Sequence, residues 1–574
     1  MTGLPRSRAL LAFSLALALL VWLPLGLAGV PLDTPDGFLH LGWAVGWARQ
    51  VAGGWWWPQW TDLNWAGAGS FALAIYPPLF RLLVGVPLLA GLPPDHALAL
   101  ALLAVLLVNA LGAFTLARVW LPAGPWRWAL LLGACLNPYL LVNLYVRGAW
   151  PEALAQGLLW WFIAGLVGLR RRRWWGVAAA AGALAGVVLS NWNAALLTLM
   201  LWGLTALALA AGRAWQPLRR WTLAVGLALG ATAPFWWPAL RLLPQLRPPI
   251  PAGLFLGEFF LAGAAGAGSF ARLLWIQALV LALLLAARGV GWGWRSDWLG
   301  WWGLGIGLLS LGLMLPLSQP LYGALPPLQR IQFPWRWLGP AWLGTLLWLS
   351  SAGLPGRATA RRPGLGRRIG AGVLLAGALG GWFDSLWRFR TNLVGHAPSG
   401  EERLALRQLL ACDPLAPCPQ GVLTLGVGGE LAKRFAALGD GRIALAGVPD
   451  YSPAPVPERS WRRRLQTFWL PAWPQPSWAE FSGPGRALLV SRGPTQRTLL
   501  VEAEGSGTLR LMQWAHPAWR VQVRPAGAGV WSAPRAAGSA DPDGWISVRL
   551  PRGRWEVALT YGAARSAAGS AAGP

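Results

Sequence analysis

Asp33 and Asp36 stand close together in the stretch Pro31-Leu-Asp-Thr-Pro-Asp-Gly-Phe-Leu-His40, just past an apolar run. A carboxylate in that place can act as a general base or help to hold a metal ion. Asp36 also precedes a helix-like stretch, so a plain N-cap explains it equally well. His40 lies four residues on, on the same helical face, and would either orient Asp36 or sit in the interface.

Two further clusters carry charge. Tyr145-Val-Arg147-Gly-Ala-Trp-Pro-Glu152 joins the end of one apolar run to the start of the next. Arg147 and Glu152 would tie two helices together. Alternatively, Arg147 would bind a phosphate, with Glu152 as its partner or as a second acid. Charge at this depth is costly, which favours a use for it. The third cluster holds Arg330, Gln332, Trp335, Arg336 and Trp337. An aromatic belt with snorkelling arginines explains the tryptophans, but explains the glutamines less well. Tyr76-Pro-Pro-Leu79 opens a short helix.

These residues need a frame. Of 574 residues, 55% are hydrophobic and 12% are charged, against about 25% charged in a soluble chain. The apolar excess comes in runs long enough to cross a bilayer, which takes about 20 residues. The runs predict eleven transmembrane helices, at about 9–30, 97–117, 126–146, 152–169, 174–191, 194–212, 221–240, 271–287, 297–316, 335–352 and 369–386. Residues 31–96 read as one outer loop with interfacial helices near 37–51 and 78–92.

The net charge of +27 is no nucleic-acid signature, because the basic residues sit in short loops between spans. The predicted inner segments hold 18 Arg and one acid, Asp297; the outer ones through residue 387 hold eight Arg and seven acids. That asymmetry predicts a cytoplasmic N-terminus and an extracytoplasmic C-terminal domain. All three clusters then face outwards.

Residues 1–387 thus form the transmembrane domain. Residues 388–480 read as mixed and loop-rich, 481–565 as a β-rich, sandwich-like domain, and 566–574 as a low-complexity tail. Trp555, Val557, Leu559 and Tyr561 alternate with polar neighbours, and Ile546, Val548 and Leu550 do the same. Cys412 and Cys418 either form a disulfide or stay free.

An acid shortly after the first span, surface helices opened by Tyr76-Pro-Pro-Leu79, and then a bundle of spans resemble the GT-C class of integral membrane glycosyltransferases. More narrowly, Asp36…His40, Trp57-Pro-Gln-Trp60, Tyr76-Pro-Pro-Leu79, Arg147-Gly-Ala…Glu152, Leu189-Ser-Asn, Phe235-Trp-Trp-Pro-Ala-Leu240 and Gln332-Phe-Pro-Trp-Arg-Trp337 resemble a bacterial membrane protein family labelled 6-pyruvoyl-tetrahydropterin synthase-related. The likeness covers roughly residues 9–350. Pro517-Ala-Trp-Arg520 and Leu550-Pro-Arg-Gly553 are similar to its terminal β-domain. Asn191 departs from the family, which often has a His there.

The resemblance implies sugar transfer from a polyprenyl-phosphate carrier to a glycan, lipid or protein acceptor, on the outer face of a bacterial cytoplasmic membrane. Asp36, Asp33 and Glu152 would be catalytic. His40, Arg147, Tyr76, Arg330, Gln332 and Arg336 would bind substrate. Mg2+ or Mn2+ at Asp36 is compatible with its oxygen ligands. The rival expectation is a non-catalytic envelope scaffold, with a transporter ranked last for want of an internal repeat.

Overall fold

The computed structural model describes residues 4–30, 34, 36–61, 69–171, 173–246, 275, 277–286, 297–331, 333–351, 365–396, 424–425, 444–445, 479–492, 495–537, 541 and 544–562. Asp33, Gln332, Cys412 and Cys418 lie outside this set, as does most of 388–480.

The first half is helical. Its helices are α1 (Leu4–Ala28), α2 (Gly37–Ala52), α3 (Ala72–Ile75), α4 (Leu79–Leu89), α5 (Pro94–Trp120), α6 (Pro125–Cys135), α7 (Pro138–Val142), α8 (Trp150–Arg170), α9 (Trp175–Val188), α10 (Trp192–Ala211) and α11 (Trp215–Leu242). Then follow α12 (Gln277–Ala286), α13 (Trp298–Leu313), α14 (Gln319–Ala324), α15 (Pro326–Gln329), α16 (Leu338–Ser350) and α17 (Leu365–His396).

Among the described residues, six stretches are helical, long and apolar enough to cross a membrane: 7–28, 94–120, 125–147, 150–170, 192–211 and 215–245. A seventh is counted if α13 and α14, bent by 88° to one another, form one broken span. Four of the eleven expected spans fall on other elements. Those near 174–191 and 335–352 fall on α9 and α16, which are shorter; that near 271–287 lies partly outside the described residues, with α12 inside it; and that near 369–386 lies within α17.

The expected span at 126–146 is interrupted, for a local reason. Asn137 caps α7, its side chain accepting from the backbone nitrogens of Tyr139 and Leu140, and Pro138 takes the first helical turn. A single π-helical turn, Asn143–Arg147, follows. Such turns occur mostly as isolated insertions, often at functional sites.

The expected interfacial helix near 37–51 corresponds to α2. Nearly all of α2 is buried, with Trp43 and Trp47 only 3% and 6% exposed. Its apolar residues join the bundle core instead of facing outwards.

One end of the bundle is basic. Trp120 Nε1 donates to Asp297 Oδ2 at 2.9 Å, Arg220 donates to the Leu169 carbonyl at 3.1 Å, and Arg170 lies over the Trp298 ring at 4.8 Å. Glu152 lies at the other end of α8. Its 21 residues separate the two ends by about 30 Å.

The C-terminal region is all β among the described residues. Five strands pair in the order β4 (Gly485–Arg492), β5 (Gln496–Ala503), β10 (Gly553–Tyr561), β7 (His516–Pro525) and β8 (Arg535–Ala537). Three more pair in the order β3 (Ala479–Phe481), β6 (Gly507–Trp514) and β9 (Trp545–Leu550). A two-residue parallel pair, β1 (Thr424–Leu425) and β2 (Ala444–Leu445), stands apart from them. The alternation on β10 places Val557, Leu559 and Tyr561 inside, as the sequence predicts.

Both sheets contribute to one hydrophobic cluster, which also takes in Trp60, Phe71 and Ile75 from the loop between α2 and α4. Trp60 meets Trp519 edge-on at 5.7 Å, and Phe71 meets His516 at 4.4 Å. The β region therefore rests on the segment that follows α2.

A candidate ion-cluster site

The π turn delivers Arg147 to the end of α7, and Gly148 follows it in the left-handed region at φ +69°. A Cβ on Gly148 would stand 2.5 Å from the Gly37 nitrogen. Glycine is thus required on two counts, conformation and space. The close approach brings the start of α2 against Arg147, and the Asp36 nitrogen donates to the Arg147 carbonyl at 2.9 Å.

The side chains meet as well. Arg147 Nη2 reaches Asp36 Oδ2 at 3.2 Å. Nη1 donates to Asn143 Oδ1 at 2.7 Å and to Glu152 Oε2 at 3.3 Å. The guanidinium lies 4.6 Å from the centre of the Trp335 ring. Tyr139 donates its hydroxyl to Glu152 Oε1 at 2.5 Å. Arg336 Nε lies 3.8 Å from Glu152 Oε2, and its Nη1 donates to the Ile331 carbonyl at 3.0 Å.

Two guanidiniums and two carboxylates therefore balance in one cluster. Burial is uneven across it. The side chains of Arg147 and Glu152 are each 6% exposed and that of Arg336 is 9% exposed, whereas Asp36 is 35% exposed. Buried charges survive only when paired and hydrogen-bonded, and here they are both. Asp36 is the member that meets the outside.

Asp36 occupies the N-cap position of α2 but makes no side-chain cap bond. Thr34 serves instead, its Oγ1 accepting from the Gly37 nitrogen at 3.1 Å. The Asp36 carboxylate is thereby left to Arg147.

No protein-family model matches this chain, and no curated protein matches it. Its site has to be read from its own geometry.

His40 does not orient Asp36. Its imidazole is buried, in ring contact with Trp43, Tyr76, Phe80 and Trp150 at 5.3–6.1 Å. Burial first, and Arg147 second, push its pKa down to about 3, so it is neutral at ordinary pH. Tyr76 borders the cluster: burial first, and the Asp36 charge next, hold its hydroxyl well above the usual range. Arg330 is exposed and takes part in none of the cluster's ion pairs.

Among the described residues, no group of three or more His, Cys, Asp or Glu side chains is arranged to hold a metal. Both oxygens of Glu152 are already engaged. The described residues around Asp36 do not by themselves make an oxygen cage for Mg2+ or Mn2+.

Three members of the site escape a reading based on charge: Tyr139, Asn143 and Gln156. Their signal is spacing. Tyr139, Asn143 and Arg147 recur every four residues, and Gln156 follows Glu152 by four. Each set lies along one side of its segment.

Proposed function

We propose that this chain is a GT-C-like membrane glycosyltransferase. In this reading, eleven spans carry an extracytoplasmic β-sandwich in a bacterial cytoplasmic membrane, and a polyprenyl-phosphate sugar is the donor. The observation that carries the reading is the Asp36 carboxylate, partly exposed and fixed by a buried arginine. Such a group suits proton removal from a hydroxyl.

The step follows from that placement. The acceptor hydroxyl gives its proton to Asp36 while its oxygen bonds to the anomeric carbon. The bond from that carbon to the carrier phosphate breaks, and the lipid phosphate leaves with the electron pair. Arg147 positions Asp36 and has its donors committed within the cluster. In this reading Arg336 and the exposed Arg330 meet the departing phosphate, and Tyr76 borders the sugar. A divalent ion at Asp36 would need its further ligands from outside the described residues.

The test is transfer from a labelled polyprenyl-phosphate sugar by purified full-length protein. Wild type should transfer the sugar and Asp36→Asn should not. A fully active Asp36→Asn removes the base and the mechanism with it.

The docking of the β region on Trp60 and Phe71 favours a second reading, a non-catalytic envelope scaffold whose loop and β region form one unit. Absence of transfer with every donor tried, together with capture of a glycan by the β region, would select it.

A further inference from the structure

We propose that Gln156 forms a binding subsite for a neutral hydroxyl group on the interior side of the ion cluster. Gln156 lies one turn beyond Glu152 on α8. Both of its amide atoms, Oε1 and Nε2, are buried without a hydrogen-bond partner in the protein, and so is Asn143 Nδ2. Buried amides in folded proteins almost always find partners.

The space beside Gln156 is shared. Gly339 on α16 presents no side chain there. A Cβ at Gly339 would stand 3.8 Å from Gln156 Nε2 and 3.3 Å from the Tyr139 ring. Gln156 Nε2 and the Tyr139 ring thus both lie against the bare Cα of Gly339, beside the residue that Tyr139 holds, Glu152.

Charge and hydrogen-bond chemistry then select the occupant. The cluster carries two positive and two negative groups, so it offers a further ion no net attraction. A glutamine amide offers donors on nitrogen and an acceptor on oxygen. A hydroxyl answers both, accepting from Nε2 and donating to Oε1. It comes from one of two sources, an ordered water or a sugar hydroxyl. The subsite does not require the transfer reading.

The test uses full-length protein in lipid nanodiscs and compares melting temperatures. Gln156→Leu should melt at least about 2 °C below wild type, because the occupant loses its partner. An unchanged or higher Tm overturns the proposal, since removing two unmet polar atoms from an empty space stabilises. Should Gln156→Leu not fold, Gln156→Met, which keeps the side-chain length and loses both amide atoms, takes its place: a lowered Tm is expected, and an unchanged or higher Tm overturns the proposal.

Octyl glucoside separates the two sources. A concentration-dependent rise in wild-type Tm that Gln156→Leu abolishes identifies a sugar hydroxyl. No rise, alongside the lowered Tm of Gln156→Leu, identifies water. Neither readout involves sugar transfer, so failure here and failure of the transferase reading remain distinct.

Discussion

Asp36 is tied to Arg147 twice over, although the two are 111 residues apart in sequence. The Asp36 nitrogen donates to the Arg147 carbonyl at 2.9 Å, and the Asp36 carboxylate takes Arg147 Nη2 at 3.2 Å. The backbone bond fixes where the residue sits, and the ion pair fixes where its carboxylate points.

This division predicts the behaviour of Asp36→Asn. The backbone tie survives, and an amide of the same shape replaces a carboxylate that is already 35% exposed. Stability should fall by about 1 kcal/mol or less, as for partly solvated pairs. Activity should fall by about 10²–10⁴-fold, the usual contribution of a positioned base. Circular dichroism melts beside transfer assays separate the two effects. A matching collapse of both would mean that Asp36 is structural.

Glu152→Gln should behave in the opposite way. Glu152 is the buried acid that touches both Arg147 and Arg336. Neutralising it leaves two buried guanidiniums with Asp36 as the one acid in the cluster. Breaking a buried pair from one side costs about 3–5 kcal/mol. The expected order of stability is wild type, Asp36→Asn, then Glu152→Gln, read as unfolding midpoints in mixed micelles. Equal costs for the two variants would contradict the burial difference on which the site description rests.

Asp36, Arg147, Glu152 and Arg336 were legible in the sequence for a physical reason. Charge in an apolar frame is expensive, so its survival marks those residues before any fold is known. Tyr139, Asn143 and Gln156 carry no charge, and neutral polar groups are common at helix ends. Their spacing of four has meaning only once the π turn and the break at Pro138 are seen. The span count exceeded the long apolar helices for a related reason. Hydropathy reads runs, whereas a proline decides where a helix stops, as at Pro316 just past the end of α13. The burial of α2 was hidden because amphipathic spacing looks the same whether the apolar face meets lipid or other helices.

His40 should make stability depend on pH. Its ordinary pKa of 6.5 applies to the unfolded chain, and in the fold the value is down to about 3. Between those values the unfolded state binds more protons. Stability therefore rises with pH across this window, is full above about 6.5, and is lost as pH falls towards 3. His40→Phe keeps a ring among Trp43, Tyr76, Phe80 and Trp150 but cannot titrate. Between pH 7 and pH 4 the wild-type Tm should drop more steeply than that of His40→Phe. Parallel slopes would show that the imidazole is hydrated after all.

Trp60 should decide whether the β region stays docked. Its ring is fully buried against Phe71, Trp519 and Tyr561 at 4.9–5.7 Å. Its carbonyl accepts from Gln50 Nε2 on α2 at 2.7 Å. The ring thus joins the β region, and the carbonyl joins the helix that begins at Asp36. Trp60→Ala keeps the carbonyl and deletes the ring, at a cost of about 3–5 kcal/mol for a buried aromatic. That loss should fall on the docking contact. Limited proteolysis should then cut ahead of β3 much faster than in wild type, while the helical bundle stays protease-resistant. Transfer by the purified Trp60→Ala bundle tells the two functional readings apart. A transferase whose chemistry lies in the ion cluster keeps a measurable rate with its β region undocked. A scaffold built from the joined loop and β region loses its glycan binding in the same variant.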